Sequence, residues 1–188
     1  VLTIGDNELP SSVGPVDVGF SVSSVECGQD FACALSDGGA VKCWGLATSG
    51  QLGYGNTVAI GDTEAPSTVG SVSLGGTAVQ VDTGDLHACA VLSDGAVRCW
   101  GLGTSGRLGY GNVLTIGDTE VPSSVGPVDV GSGVSVASVH TGSSHTCVRT
   151  VGGEVKCWGS GMDGRLGSGD EADVDAPSTA SFVSIVNP

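Results

Sequence analysis

The phrase Cys-Trp-Gly occurs three times, at Cys43-Trp44-Gly45, Cys99-Trp100-Gly101 and Cys157-Trp158-Gly159, at intervals of 56 and 58 residues. The flanks repeat with it. The stretch 48–56, TSGQLGYGN, returns as TSGRLGYGN at 104–112 and more loosely as GRLGSG at 164–169. Residues 1–19 reappear at 113–131 with changes only at Asn7/Thr119 and Leu9/Val121. A period of this size belongs to propeller blades, solenoid turns or array elements, because one such unit cannot bury its faces alone. Near-identity two periods apart points to duplication and to a parent protein with further repeats.

Each period reads as four strand-like pieces. In the third these are 121–130, 134–141, 145–150 and 154–159, followed by the glycine-rich loop SGMDGRLGSG. Glycine is abundant at 33 residues and aromatic content is 4%, which favours strands and turns over helices. The expected fold is all-β: tandem four-stranded antiparallel blades of propeller type, three of them plus one extra strand. The ring would be incomplete, or completed by association. The units are expected at 1–57, 58–113 and 114–171, with 172–188 the first strand of a fourth repeat, available for pairing with another edge.

The cysteines recur ten apart, as Cys33/Cys43, Cys89/Cys99 and Cys147/Cys157. Residues opposed in a hairpin have a constant index sum, and an even sum requires a loop with an odd number of residues. The three-residue loops Asp37-Gly38-Gly39, Ser93-Asp94-Gly95 and Val151-Gly152-Gly153 each end in glycine, as a type I turn with a glycine bulge requires. That register sets the sulfurs opposite one another, within disulfide reach. Disulfides are the expected state, with reduced, buried thiols the alternative. Knuckle spacings for zinc and a Cys-x-x-Cys redox pair are missing. Cys27 has no partner in the pattern and stands where the other copies have Thr83 and Thr141. It reads either as a buried spare thiol or as the donor of an intermolecular bridge.

The stretch 84–112, GDLHACAVLSDGAVRCWGLGTSGRLGYGN, resembles the repeat of the regulator of chromosome condensation family, in the cysteine- and aspartate-rich form of bacterial secreted and surface proteins. The resemblance runs over essentially the whole chain. It implies a seven-bladed β-propeller with about four strands per blade. The first copy has Phe31 where the others have His87 and His145, and the residue two after Trp-Gly is Ala47, Gly103 or Gly161. Three units are fewer than half a ring.

The formal net charge of −14 repels phosphate backbones and anionic lipid surfaces, so neither nucleic acid nor a membrane is an expected partner. No apolar run is long enough to span a bilayer as a helix. The sequence shows neither a starting methionine nor a signal segment and reads as a processed or excised piece. Disulfides would place it in an oxidising compartment, secreted or at the cell surface.

Trp44, Trp100 and Trp158 are expected in the core between blades. His87 and His145 read as histidines bonded to a neighbouring loop backbone, and the unrepeated His140 as a surface residue. No triad-like partner recurs beside them, so no catalysis is expected. The pairs Asp6/Glu8, Asp62/Glu64 and Asp118/Glu120 offer hard oxygen ligands to calcium, or else form solvated acidic turns. No other cofactor is indicated. The expected role is structural: an extracellular repeat protein assembling with copies of itself or with other repeats of a longer parent through blade contacts and strand addition, as a filament in one form. The alternative is a protein-binding module of a longer seven-bladed propeller, directed at another extracellular protein. Nucleotide exchange on a GTPase fits the acidity and cysteines poorly.

Overall fold

The computed structural model describes residues 9–183. Three antiparallel sheets follow one another along the chain, each with its strands in chain order. The first holds β1 (Val22–Cys27), β2 (Phe31–Ser36) and β3 (Val41–Gly45). The second holds β4 (Ala78–Thr83), β5 (His87–Leu92) and β6 (Val97–Gly101). The third holds β7 (Val136–Thr141), β8 (His145–Thr150) and β9 (Val155–Gly159).

The hairpin between the second and third strands of each sheet has the register that the cysteine spacing demands. Cys33 faces Cys43, Cys89 faces Cys99 and Cys147 faces Cys157. Ser36 N donates to Ala40 O at 2.8 Å and Gly39 N to Ser36 O at 3.0 Å, closing a three-residue loop. Gly39, Gly95 and Gly153 end these loops with φ of 79°, 83° and 89°. Only glycine takes that conformation without strain. The first strand pair carries a register shift at one repeated place: between Val22 and Ser24, Ala78 and Gln80, and Val136 and Ser138.

One expected strand per unit is missing. Residues 121–130 form a 3-10 turn, Pro122–Ser124, and then an extended run with one backbone bond to a strand, Val128 N to Val97 O at 2.9 Å. Val72 N binds Val41 O at 2.8 Å in the same way. Pro122, Gly126 and Pro127 remove donors and stiffness from the segment, so a full ladder cannot form. Each blade is therefore three strands with a loosely attached fourth segment on its outer edge. That segment arrives from the following period.

Of the run 175–186, expected as a pairing strand, Val183 N donates to Val155 O at 2.8 Å on the edge of β9, and 184–186 fall outside the described residues.

Between the single bonds of the fourth segment, the edge of the third strand is satisfied by a side chain. Cys43 N donates to the Tyr54 hydroxyl at 3.1 Å, and that hydroxyl donates to Cys43 O at 3.2 Å. Tyr110 does the same for Cys99, at 3.1 Å in both directions. The core runs between the sheets, through Leu52, Val81, Trp100, Leu108, Val139 and Trp158, all nearly or fully buried.

Candidate functional site

The faces where one blade meets the next are made by the same letters of the repeat. Trp100 Nε1 donates to Gln51 O at 3.0 Å, and Trp158 Nε1 donates to Arg107 O at 3.0 Å. In each case the indole of one blade reaches the loop after the third strand of the blade before. That loop lies flat on the ring because it is glycine there: a Cβ at Gly53 would sit 2.9 Å from the Trp100 indole, and one at Gly109 2.6 Å from Trp158. A second bond follows, Gly55 N to Gly117 O at 3.0 Å and Gly111 N to Asp175 O at 2.8 Å.

Along the inner strands the second and third blades are clasped by side chains. Gln80 Nε2 donates to Val139 O at 2.7 Å and Gln80 Oε1 accepts Val139 N at 2.9 Å. Asp82 accepts Thr141 N at 2.6 Å. In the first blade Ser24 and Glu26 occupy these places. The Glu26 carboxyl is pushed above the usual carboxylate range by burial and then by the neighbouring Asp82 charge.

His87 is fully buried at the same junction. Its Nε2 lies 3.0 Å from the Thr146 hydroxyl, and that hydroxyl donates to Arg107 O at 2.9 Å. Thr146 has only one proton to give, so the proton on the first bond is carried by His87 Nε2. The sequence suggested a bond to loop backbone; the partner is instead a side chain of the next blade. Burial, then the Arg107 charge, then His145 push the His87 pKa down to about 3, so the ring is neutral. His145 is shifted down less far, first by burial and then by Arg165. His140 is exposed.

The outermost faces repeat half of this pattern. On the first blade Val25 is 53% exposed, whereas Val81 and Val139 at the same place are 1% and 0% exposed. Trp44 is only partly buried, and among the described residues its Nε1 has no acceptor. On the third blade His145 and Cys147 are half-buried and Arg149 is exposed, where the second blade has His87, Cys89 and Val91 sealed. Arg165 stands where Gln51 and Arg107 stand, with no indole among the described residues to take its carbonyl.

Disulfides join Cys33 to Cys43, Cys89 to Cys99 and Cys147 to Cys157, with Cα separations of 4.0, 4.1 and 4.1 Å. Cys27 is exposed, against the reading of it as a buried spare thiol. It lies on β1, which no earlier blade covers among the described residues. Asp6 and Glu8 lie outside the described residues. Glu64 and Glu120 each accept a hydroxyl from the preceding threonine at 2.6 Å. Among the described residues no three acidic, histidine or cysteine side chains come together in a group that could hold a metal ion. No helix among the described residues is long and apolar enough to cross a membrane.

Sequence reasoning missed Thr146, Tyr54 and Tyr110, and the carbonyls of Gln51 and Arg107. The tyrosines carried a signal, the same letter at the same phase in two repeats. Carbonyls carry none.

A family model described as the regulator of chromosome condensation (RCC1) repeat matches residues 22–51, 78–107 and 134–165, and a second model of that description matches 94–149. The chain belongs to the RCC1 repeat family. It is 33% identical over 169 residues to the Ultraviolet-B receptor UVR8 of Arabidopsis thaliana, covering 89% of this chain and 36% of that one. It is 33% identical over 138 residues to the E3 ubiquitin-protein ligase HERC2 of Homo sapiens, covering 72% of this chain and 3% of that one. Among solved structures, Prp20p of Saccharomyces cerevisiae superposes with a TM-score of 0.65 at 21% identity, over 87% of this chain and 38% of that one. That likeness is one of fold. This RCC1-repeat chain thus spans little more than a third of UVR8 and of Prp20p, and far less of HERC2.

Proposed function

We propose that this RCC1-repeat chain is a non-enzymatic extracellular scaffold that works by blade-to-blade contact, receiving further blades of its own kind on its two outer faces. One observation carries the reading. The first blade leaves Val25 exposed and Trp44 only partly buried, whereas their counterparts Val81, Val139, Trp100 and Trp158 are each sealed at a junction with the preceding blade. The opposite end presents Arg165, the counterpart of the residues whose carbonyls take those indoles. The two ends are therefore opposite halves of one junction. Apolar surface of this kind gains about 25 cal/mol per Å² when covered. Three disulfides support an oxidising compartment, and the charge of −14 disfavours nucleic acid.

Light scattering and electron microscopy of the oxidised chain test this. Particles larger than one chain, growing with concentration, are expected; a dispersed single chain at every concentration overturns it.

A second reading makes the chain a protein-binding part of a longer propeller. It is supported by the share of UVR8 and Prp20p that the chain spans, 36% and 38%. Prp20p itself has binding properties toward Gsp1p and histones. Assembly that stops at a closed ring of further repeats in one polypeptide would favour this second reading.

A further inference from the structure

The third blade departs from the first two at the residue that serves the outer strand edge. Where they have Tyr54 and Tyr110, it has Ser168. In the first two blades the phenol lies against the outer edge of the third strand and its hydroxyl bonds both backbone groups of one cysteine. The glycine before the residue keeps its place in all three blades. A Cβ at Gly53, Gly109 or Gly167 would in each blade come 2.9 Å from a valine Cγ1 of the fourth segment: Val72, Val128 or Val183.

Ser168 cannot reach the strand. Its hydroxyl turns to Asp170 Oδ1 at 2.9 Å, at the exposed rim. The bonds on either side survive, Val183 N to Val155 O at 2.8 Å and Gly159 N to Val174 O at 2.7 Å. Between them, among the described residues, Cys157 N and O have no partner. A cavity of about 360 Å³ opens there, lined by Cys157, Leu166, Ser168, Val174 and Phe182 among others. Leu166, Val174, Phe182 and Val183 supply its apolar walls, Ser168, Asp170 and Ser181 add polar groups, and Cys157 presents one backbone donor and one backbone acceptor side by side. Leu74 and Val130, two residues beyond Val72 and Val128, are buried in blades that also hold the tyrosine, so the fourth segment and a phenol fit together.

We propose that this cavity is a binding site for a neutral phenol group, seated as Tyr54 and Tyr110 are seated in their own blades, with its hydroxyl accepting from Cys157 N and donating to Cys157 O. Toluene-like rings fill the same walls but leave both backbone groups unpaired, and a site that hydrogen-bonds a hydroxyl rejects the analogue that lacks it. A phenolate is rejected too, because it cannot donate to Cys157 O and meets Asp170 at the rim. The site is independent of the blade-to-blade role.

Titration of the oxidised chain with 4-methylphenol and with toluene, followed by calorimetry and by the thermal midpoint, tests it. Saturable binding of 4-methylphenol, at least tenfold tighter than toluene and lost above the phenol pKa of about 10, is expected. Ser168→Tyr should abolish that binding and raise the thermal midpoint, because the chain then fills its own cavity. Equal binding of the two rings, no binding of 4-methylphenol, or undiminished binding to a folded Ser168→Tyr variant overturns the proposal. N-acetyltyrosinamide identifies the source: if it binds as 4-methylphenol does, the group is a tyrosine side chain; if only 4-methylphenol binds, it is a free phenol; either upholds the site.

Discussion

His87 Nε2 lies 3.0 Å from the Thr146 hydroxyl across the junction of the second and third blades, and no solvent reaches the ring. The matching pair one junction earlier is Phe31 and Ala88, both apolar. One period of the repeat thus closes the same face with a polar bond or with an aromatic ring.

That pair makes stability depend on pH. The His87 pKa is about 3 in the folded chain, below its ordinary 6.5. The unfolded chain binds the proton first, so the stabilisation is complete above pH 6.5 and is lost as pH falls toward 3, at no more than about 1.4 kcal/mol per pH unit. Urea midpoints at pH 7, 5.5 and 4.5 should fall for the parent chain. They should fall less for the double variant His87→Phe, Thr146→Ala, which copies the first junction. Equal slopes would remove His87 as the cause.

The tryptophans should separate by position. Trp100 is sealed and bonded to Gln51 O, whereas Trp44 is partly exposed. Trp100→Ala should cost about 3–5 kcal/mol, as large-to-small changes in cores do, and Trp44→Ala less than half of that. Denaturant unfolding checks both. Similar costs would mean that Trp44 is covered in solution, which itself reports assembly.

The disulfides should open in order. Cys89 and Cys99 are wholly buried, whereas Cys147 is half-buried at the outer face of the third blade. A reductant should reach Cys147–Cys157 first, as mapped by alkylation and peptide mass. Before reduction, thiol titration of the unfolded chain should find one free thiol, Cys27. Each ten-residue loop released should cost roughly 2–3 kcal/mol by the chain-entropy estimate.

The hairpin glycines should also differ. Gly39 and Gly153 both have positive φ, 79° and 89°. A Cβ at Gly39 would meet Ala78 O at 2.6 Å, while one at Gly153 meets nothing within 4 Å. Gly153→Ala should cost about 1 kcal/mol, the strain of the left-handed conformation alone. Gly39→Ala should cost clearly more, because the next blade must move. Thermal midpoints of the two variants decide this.

The parts of the fold legible in sequence were those made by neighbours along the chain. The facing of Cys33 and Cys43, and the turn at Gly39, follow from spacing alone, because a hairpin brings together residues ten apart. The fourth segment resembles a strand in sequence because Val128 and Val130 stand two apart beside Val121 and Val125, while Pro122 and Pro127 lack the donors that a ladder needs. The blade junctions were the least legible. Trp100 and Gln51 are 49 residues apart, and the acceptor is a carbonyl that every residue has. The change from Tyr54 and Tyr110 to Ser168 was visible as letters, but its meaning needed the strand edge that the hydroxyl serves.

Because Trp158 leans on the loop at Arg107 as Trp100 leans on the loop at Gln51, each join spends one element from either side and leaves the same two elements at the ends. Removing or inserting one whole period therefore rejoins parts that already match. Repeat number in such a chain can drift in unit steps during evolution, while a fractional deletion would strand an indole without its loop.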